Sequence, residues 1–346
     1  MSQSMPGRLG CFGKLPSHAD FIGINAHDET VRALDGWLQR SLVDWAETEP
    51  HWVAQFDALP LNFFSFVDAA GHGLLGGMIS SQDASGRRYP FFVFQRLEPS
   101  IVAQTEGLGL HTLAETLSGQ MRSLLINAVH GGLQPEQVMD HLRPMSTQDV
   151  SLYQQVHMRF LQDFSFADIA ASLQRDWPEF IPEATLHRLA ALMMRWREQP
   201  ERGMALLPLP AERGLKRSVA DLWLRWLQRG LPTDSYGLSG HVSKGHISKG
   251  HISKGHNGPE YSSWLLDDFM RPQLLIVPPS SRAVPFFRAL QGSAADSEVF
   301  DVLASFTVDE PHPGHLQLPD MQQPLHEFTA VFPGQKPVEM SNGWSL

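Results

Sequence analysis

The sequence predicts an α/β fold, a mixed and largely antiparallel sheet flanked by helices as an α/β/α sandwich, and three features carry that prediction. Residues 61–68, 74–80 and 89–97 are short runs with the aromatic and aliphatic bulk of buried strands, Phe63, Phe64 and Phe66 above all. The polar stretch from Asp83 to Gly86 joins the last two with turn chemistry, and hairpin-linked strands run antiparallel. Two apolar stripes at helical spacing, Val31, Leu34, Leu38, Leu42 and Trp45, then Leu110, Leu113, Leu117, Met121, Leu124, Leu125 and Ala128, provide helices to cover the sheet.

The chain begins its organisation at residues 10–21, where Phe12 and Leu15 have core bulk, Gly13 permits a backbone that a side chain would forbid, and Pro16 ends ladder pairing. A first strand, a fixed loop and a re-entry at Phe21 are expected there. Asp28 and Glu29 stand where acidic groups favour a helix start, and Trp37 and Trp45 on that helix are expected to pack rather than bind. Gly71 and Gly73 turn the chain before the second strand, and His130-Gly131-Gly132 stops the second helix.

Residues 134–230 then read as mostly helical, with one stripe through Leu186, Leu189, Ala190, Met193 and Trp196 and another through Val219, Leu222, Trp223, Trp226 and Leu227. Basic residues outnumber acidic ones between Arg188 and Arg229, which reads either as solvated helix faces or as a docking face for an acidic protein. A repeat follows, in which Gly-His-Val/Ile-Ser-Lys recurs from Gly240 to His256. Steps of five rotate a helical side chain by about 140° and alternate faces on a strand, so neither geometry aligns all the histidines. A solvated loop is the stronger reading. Residues 261–266 and 271–279 read as returning strands, Val284, Phe287 and Leu290 as a short helix, and residues from 309 onward as a proline-rich, extended tail. The expected divisions are 1–132, a sheet-and-helix part; 133–232, a helical insertion or extension; 233–259, the repeat loop; 260–307, elements completing the core; and 308–346, the tail.

The net charge of -10 opposes binding to nucleic acid phosphates and to anionic membranes. Cys11 is the only cysteine, so no internal disulfide forms, in keeping with a reducing compartment. No apolar run approaches the roughly 20 residues that span a bilayer, and no signal-peptide pattern opens the sequence, so a cytoplasmic location is expected.

Catalytic patterns are broken at specific positions. Gly13-Lys14 ends like a phosphate loop, but Arg8 and Leu15 occupy the positions that need a glycine and a hydroxyl. Ser17, His18 and Asp20 have triad residue types, yet neighbours in sequence rarely converge on one reacting atom. His326-Glu327 lacks the second histidine of a zinc pair, and neither Gly-x-Ser-x-Gly nor a dinucleotide loop occurs. Neither a catalytic residue, a cofactor, a metal ligand nor a small-molecule substrate is therefore expected.

Two segments carry a resemblance. The run Phe12-Gly13-Lys14-Leu15-Pro16 followed by Asp20-Phe21, and the run Ser81, Asp83, Gly86, Arg87, Tyr89 and Pro90, are similar in order and spacing to the signature of the TagF (ImpM) family of type VI secretion accessory proteins. Ala19 stands where that family usually has glycine. The resemblance covers roughly residues 8–130, and a late Ser-x-x-Trp-like strand with a phenylalanine-bearing helix, here 262–290, is similar to the way the family closes its domain. It implies a post-translational repressor that binds the cytoplasmic forkhead-associated protein Fha. Lys14, Asp20, Asp83 and Arg87 are the candidate partner contacts, extended if need be by the arginine-rich helices. The alternative is a metal-binding protein or metal-dependent hydrolase using His241, His246, His251 and His256, with His312 and His315 as further ligands.

Overall fold

Strand β3 (Asn62–Val67) is buried along its whole length and forms the middle of the sheet. The computed structural model describes residues 9–68, 70–104, 110–145, 150–198, 204–228, 261–266, 270–277, 286–291, 299–304 and 317–332. Among them β1 (Leu9–Lys14), β2 (Phe21–Ile24), β3, β4 (Gly73–Ile79), β5 (Phe91–Leu97), β6 (Met204–Pro208), β7 (Tyr261–Leu266), β8 (Gln273–Val277) and β9 (Val299–Asp301) make one nine-stranded sheet, ordered β2-β1-β5-β4-β3-β7-β8-β6-β9. Every pairing is antiparallel except that of β6 with β9. The mixed, largely antiparallel sheet predicted from the hairpin pattern is therefore present.

Strand alternation sends side chains into two cores. Phe63, Leu75, Val93 and Leu265 enter one, and Phe64, Leu74, Phe92 and Trp264 the other. Helix α1 (Glu29–Thr48), α2 (Trp52–Asp57) and α10 (Phe286–Ala289) cover the second core. Asp28 caps α1 by accepting from Val31 N at 2.9 Å, and Trp37 and Trp45 pack against Phe286 and Phe287, as their spacing predicts.

The first core lies under a thicker layer: α3 (Pro99–Gln104), α4 (Glu115–Val129), α5 (Pro135–Leu142), α6 (Val150–Asp163), α7 (Phe166–Asp176), α8 (Pro182–Glu198), α9 (Arg213–Gln228) and α11 (Leu325–Val331). Two sequence expectations change here. The 134–230 stretch is not helical throughout, because β6 leaves it to pair with β8 and β9. Nor is all of the region beyond residue 309 an extended surface tail: α11 seats Leu325, Phe328 and Phe332 in the core, with Phe328 stacked on Phe166 at 5.1 Å and Trp226 Nε1 donating to Thr329 Oγ1 at 3.1 Å.

Helix α9 also departs from the idea of a basic docking face. From Leu215 to Leu227 only Lys216 and Arg225 are even partly exposed, and the rest of that span is buried. Arg217 is inside, where its guanidinium lies 4.8 Å from the centre of the Phe63 ring and Nε bonds Glu115 Oε2 at 2.9 Å. Arg188 on α8 is buried too, stacked 4.5 Å from the Phe300 ring centre.

Candidate interaction surface

Asp83 opens the connection between β4 and β5, and its short side chain folds back on its own turn. Oδ1 accepts from Ser85 N at 3.0 Å, Ser85 Oγ at 2.6 Å and Arg87 N at 3.0 Å. Oδ2 accepts from Arg87 Nε at 2.7 Å and from Lys14 Nζ at 2.9 Å, at the end of β1. Gly86 takes φ 83, the left-handed conformation that lets the turn close. Burial pushes the Asp83 carboxyl up, but the hydrogen bonds from Ser85, Lys14 and Arg87 outweigh it and hold the group well below the usual carboxylate range.

The same turn grips the loop after β1. Arg87 Nη2 donates to Ala19 O at 2.8 Å, Ala84 N to His18 O at 2.8 Å, and Ser81 Oγ to Lys14 O at 2.7 Å. Gly13 holds φ 132, and a Cβ there would lie 2.1 Å from Pro90 O, so the two segments approach as closely as backbones permit only because that residue is glycine. Phe12 and Phe21 stack alongside, Tyr89 meets both rings edge-on, and the Tyr89 hydroxyl donates to Asp35 Oδ1 at 2.6 Å. The two signature segments are thus one clasp.

The candidate contacts separate on this geometry. Lys14 and Asp83 are buried in the clasp and do not offer their charges to a partner. Asp20, which accepts from its own neighbour Phe21 N at 2.8 Å, and Arg87, with 62% of its side chain exposed, lie on the outside. His18, Ala19, Ala84 and Ser85 are exposed beside them. The triad types at Ser17, His18 and Asp20 do not converge: Ser17 Oγ donates to Leu133 O at 2.6 Å and Asp20 bonds backbone.

A second polar group, unread in the sequence, lies in the first core. Ser65 Oγ is 2.7 Å from Ser263 Oγ, which is 2.8 Å from His111 Nε2. Asp221 on α9 accepts from His111 N at 2.9 Å and Thr112 N at 2.8 Å. Burial drives the His111 imidazole down to about 3, assisted by the charge of Arg217, and pushes the Asp221 carboxyl up to about 7 against its amide donors. A serine, a histidine and an aspartate therefore meet, but not in a triad's arrangement: all three are buried, and the Asp221 carboxyl bonds the backbone of the turn while His111 Nδ1 has no hydrogen-bond partner. The group ties the entry of α4 to α9 and β7.

The histidines of the repeat, His241, His246, His251 and His256, and also His312 and His315, lie outside the described residues. Among the described residues, no group of three or more His, Cys, Asp or Glu could hold a metal ion, and no helix is long and apolar enough to cross a membrane.

Residues 10–145 match the family model of the TagF N-terminal domain, type VI secretion system-associated. The matched residues make up less than half of the chain. Both clasp segments lie inside the residues that match the TagF model. The crystal structure of PA0076 from Pseudomonas aeruginosa PAO1 is similar at 21% identity, covering 41% of this chain and 64% of that one, with a TM-score of 0.36. The match therefore spans less than two thirds of that relative's length. No curated protein matches the chain. The TagF region is not a closed unit of the fold: β3 inside it pairs with β7 outside it, residue for residue from Asn62↔Leu266 to Val67↔Tyr261.

Proposed function

We propose that this TagF-domain protein is a non-catalytic, cytoplasmic accessory protein of a type VI secretion system, and that it represses assembly by binding the forkhead-associated protein Fha. The observation that carries the reading is the clasp: Asp83 receives five hydrogen bonds from Lys14, Ser85 and Arg87. Those charges therefore hold two exposed loops in one shape instead of facing a reacting substrate. Loops fixed on a rigid scaffold bind without paying again for ordering. The repressor role and the choice of Fha come from the family resemblance.

The test is a pull-down of the Fha homologue by the purified full-length protein, repeated with Arg87→Glu and with residues 240–256 deleted. Binding by the parent protein, lost in Arg87→Glu and kept in the deletion, is expected. Undiminished capture by Arg87→Glu would remove the clasp surface from the interface, and no capture by the parent would remove Fha as the target.

A further inference from the structure

Strand β2 is the last strand on its side of the sheet, and among the described residues no strand pairs with its outer edge. An edge strand turns alternate N–H and C=O groups outward, and stable proteins protect such edges with lysine, proline or a bulge. Phe21-Ile22-Gly23-Ile24 contains neither lysine nor proline. The edge is nonetheless held firmly at both ends. The clasp fixes its entry through Ala19 and His18, and its exit is set by Asn25, which takes φ 53 and donates from Nδ2 to Leu9 O at 2.7 Å.

Beside this edge is an apolar ledge. Phe21 is 37% exposed and stacks on Phe12 at 5.4 Å, while Lys14 Nζ stands 5.0 Å from the Phe21 ring centre. Gly23 has no side chain to cover the neighbouring Phe12 ring, which a Cβ would meet at 3.5 Å. Asp20 is exposed at the head of the strand, while the nearby Lys14 and Arg87 share the one carboxyl of Asp83. A second copy of the chain would bring another net charge of -10, so charge favours a basic partner over self-pairing.

We infer that β2 is an acceptor edge that takes an extended, basic-flanked segment of a protein partner as an added strand, with an apolar side chain of that segment resting on Phe12 and Phe21. Backbone pairing supplies affinity in this mode, and the ledge and Asp20 supply selectivity. The inference rests on the docking reading above and adds to it the mode of engagement.

Hydrogen–deuterium exchange of the full-length protein, with and without the purified Fha homologue, tests it. Slower exchange at residues 21–24 in the complex, with binding about 10-fold or more weaker in Phe21→Lys, is the expected result. Binding with unchanged exchange at 21–24 would overturn strand addition and leave the docking reading standing. Absence of binding would overturn both. Protection of 21–24 in the protein alone, accompanied by a dimer in solution, would assign the edge to self-association and overturn the choice of partner.

Discussion

Lys14 Nζ lies 2.9 Å from Asp83 Oδ2 across 69 positions of chain, and the two side chains are only 7% and 0% exposed. Their charges are therefore internal to the fold, and what they determine is the relative position of the loop after β1 and the turn after β4. The outward-facing members of the same signature, Asp20 and Arg87, stand on that support.

Asp83→Asn is expected to lower stability more than Lys14→Met does. The first change leaves the buried Lys14 ammonium facing an uncharged amide, whereas the second leaves Asp83 with its Ser85 and Arg87 donors. Because the folded Asp83 carboxyl sits below its ordinary range, its contribution is present above the unfolded pKa of about 4 and is lost as pH falls through the folded value. Urea midpoints of the two variants and the parent would show the order, and equal losses would contradict it.

Gly13→Ala and Gly119→Ala should move stability in opposite directions. At Gly13 the φ of 132 and a contact of 2.1 Å with Pro90 O predict a loss of about 3 kcal/mol or more. Gly119, exposed within α4, has nothing within 4 Å of a Cβ, so alanine should gain about 0.5–1 kcal/mol of helix propensity. Denaturant unfolding of both variants reads the signs.

Phe328→Ala should cost about 3–5 kcal/mol, because the ring is fully buried against Phe166 and Trp226. A loss below about 1 kcal/mol in chemical denaturation would instead mean that α11 is a dispensable appendage.

What could be read from the sequence follows the range of the interactions. Helix α1 and strands β3, β4, β5, β7 and β8 declare themselves, since periodicity and bulk are local properties. Strand β6, Met-Ala-Leu-Leu-Pro, is buried on both faces, and a short continuous apolar run looks the same in a helix as in a central strand. Helix α11 is only seven residues long, too short to show a helical period, and its burial depends on Phe166 and Trp226, far away in the chain. The clasp residues were visible as a pattern and Asp83 as part of a turn, but its pairing with Lys14, 69 positions away, has no local signal. His111, Ser263 and Asp221 come from three distant segments, and no spacing could have joined them.

The interior pair His111 and Asp221 gives the last prediction. Between pH of about 4 and 7 the folded Asp221, with its carboxyl raised to about 7, holds a proton that the unfolded chain has released, so this group alone makes stability fall as pH rises. The folded His111, lowered to about 3, stays neutral where the unfolded chain takes up a proton below about 6.5, so it alone makes stability fall as pH drops. From about 4 to 6.5 the two slopes oppose each other, each up to about 1.4 kcal/mol per pH unit. Asp221→Asn removes one of them. Relative to the parent, it should lose stability on acidification from pH 6.5 towards 4.5, by up to about 1.4 kcal/mol for each unit. Unfolding free energies of both proteins at three pH values across that range would measure the difference, in which every other titrating group cancels. Parallel pH profiles would mean that Asp221 is already ionised inside the fold, held so by the His111 and Thr112 amides and the charge of Arg217.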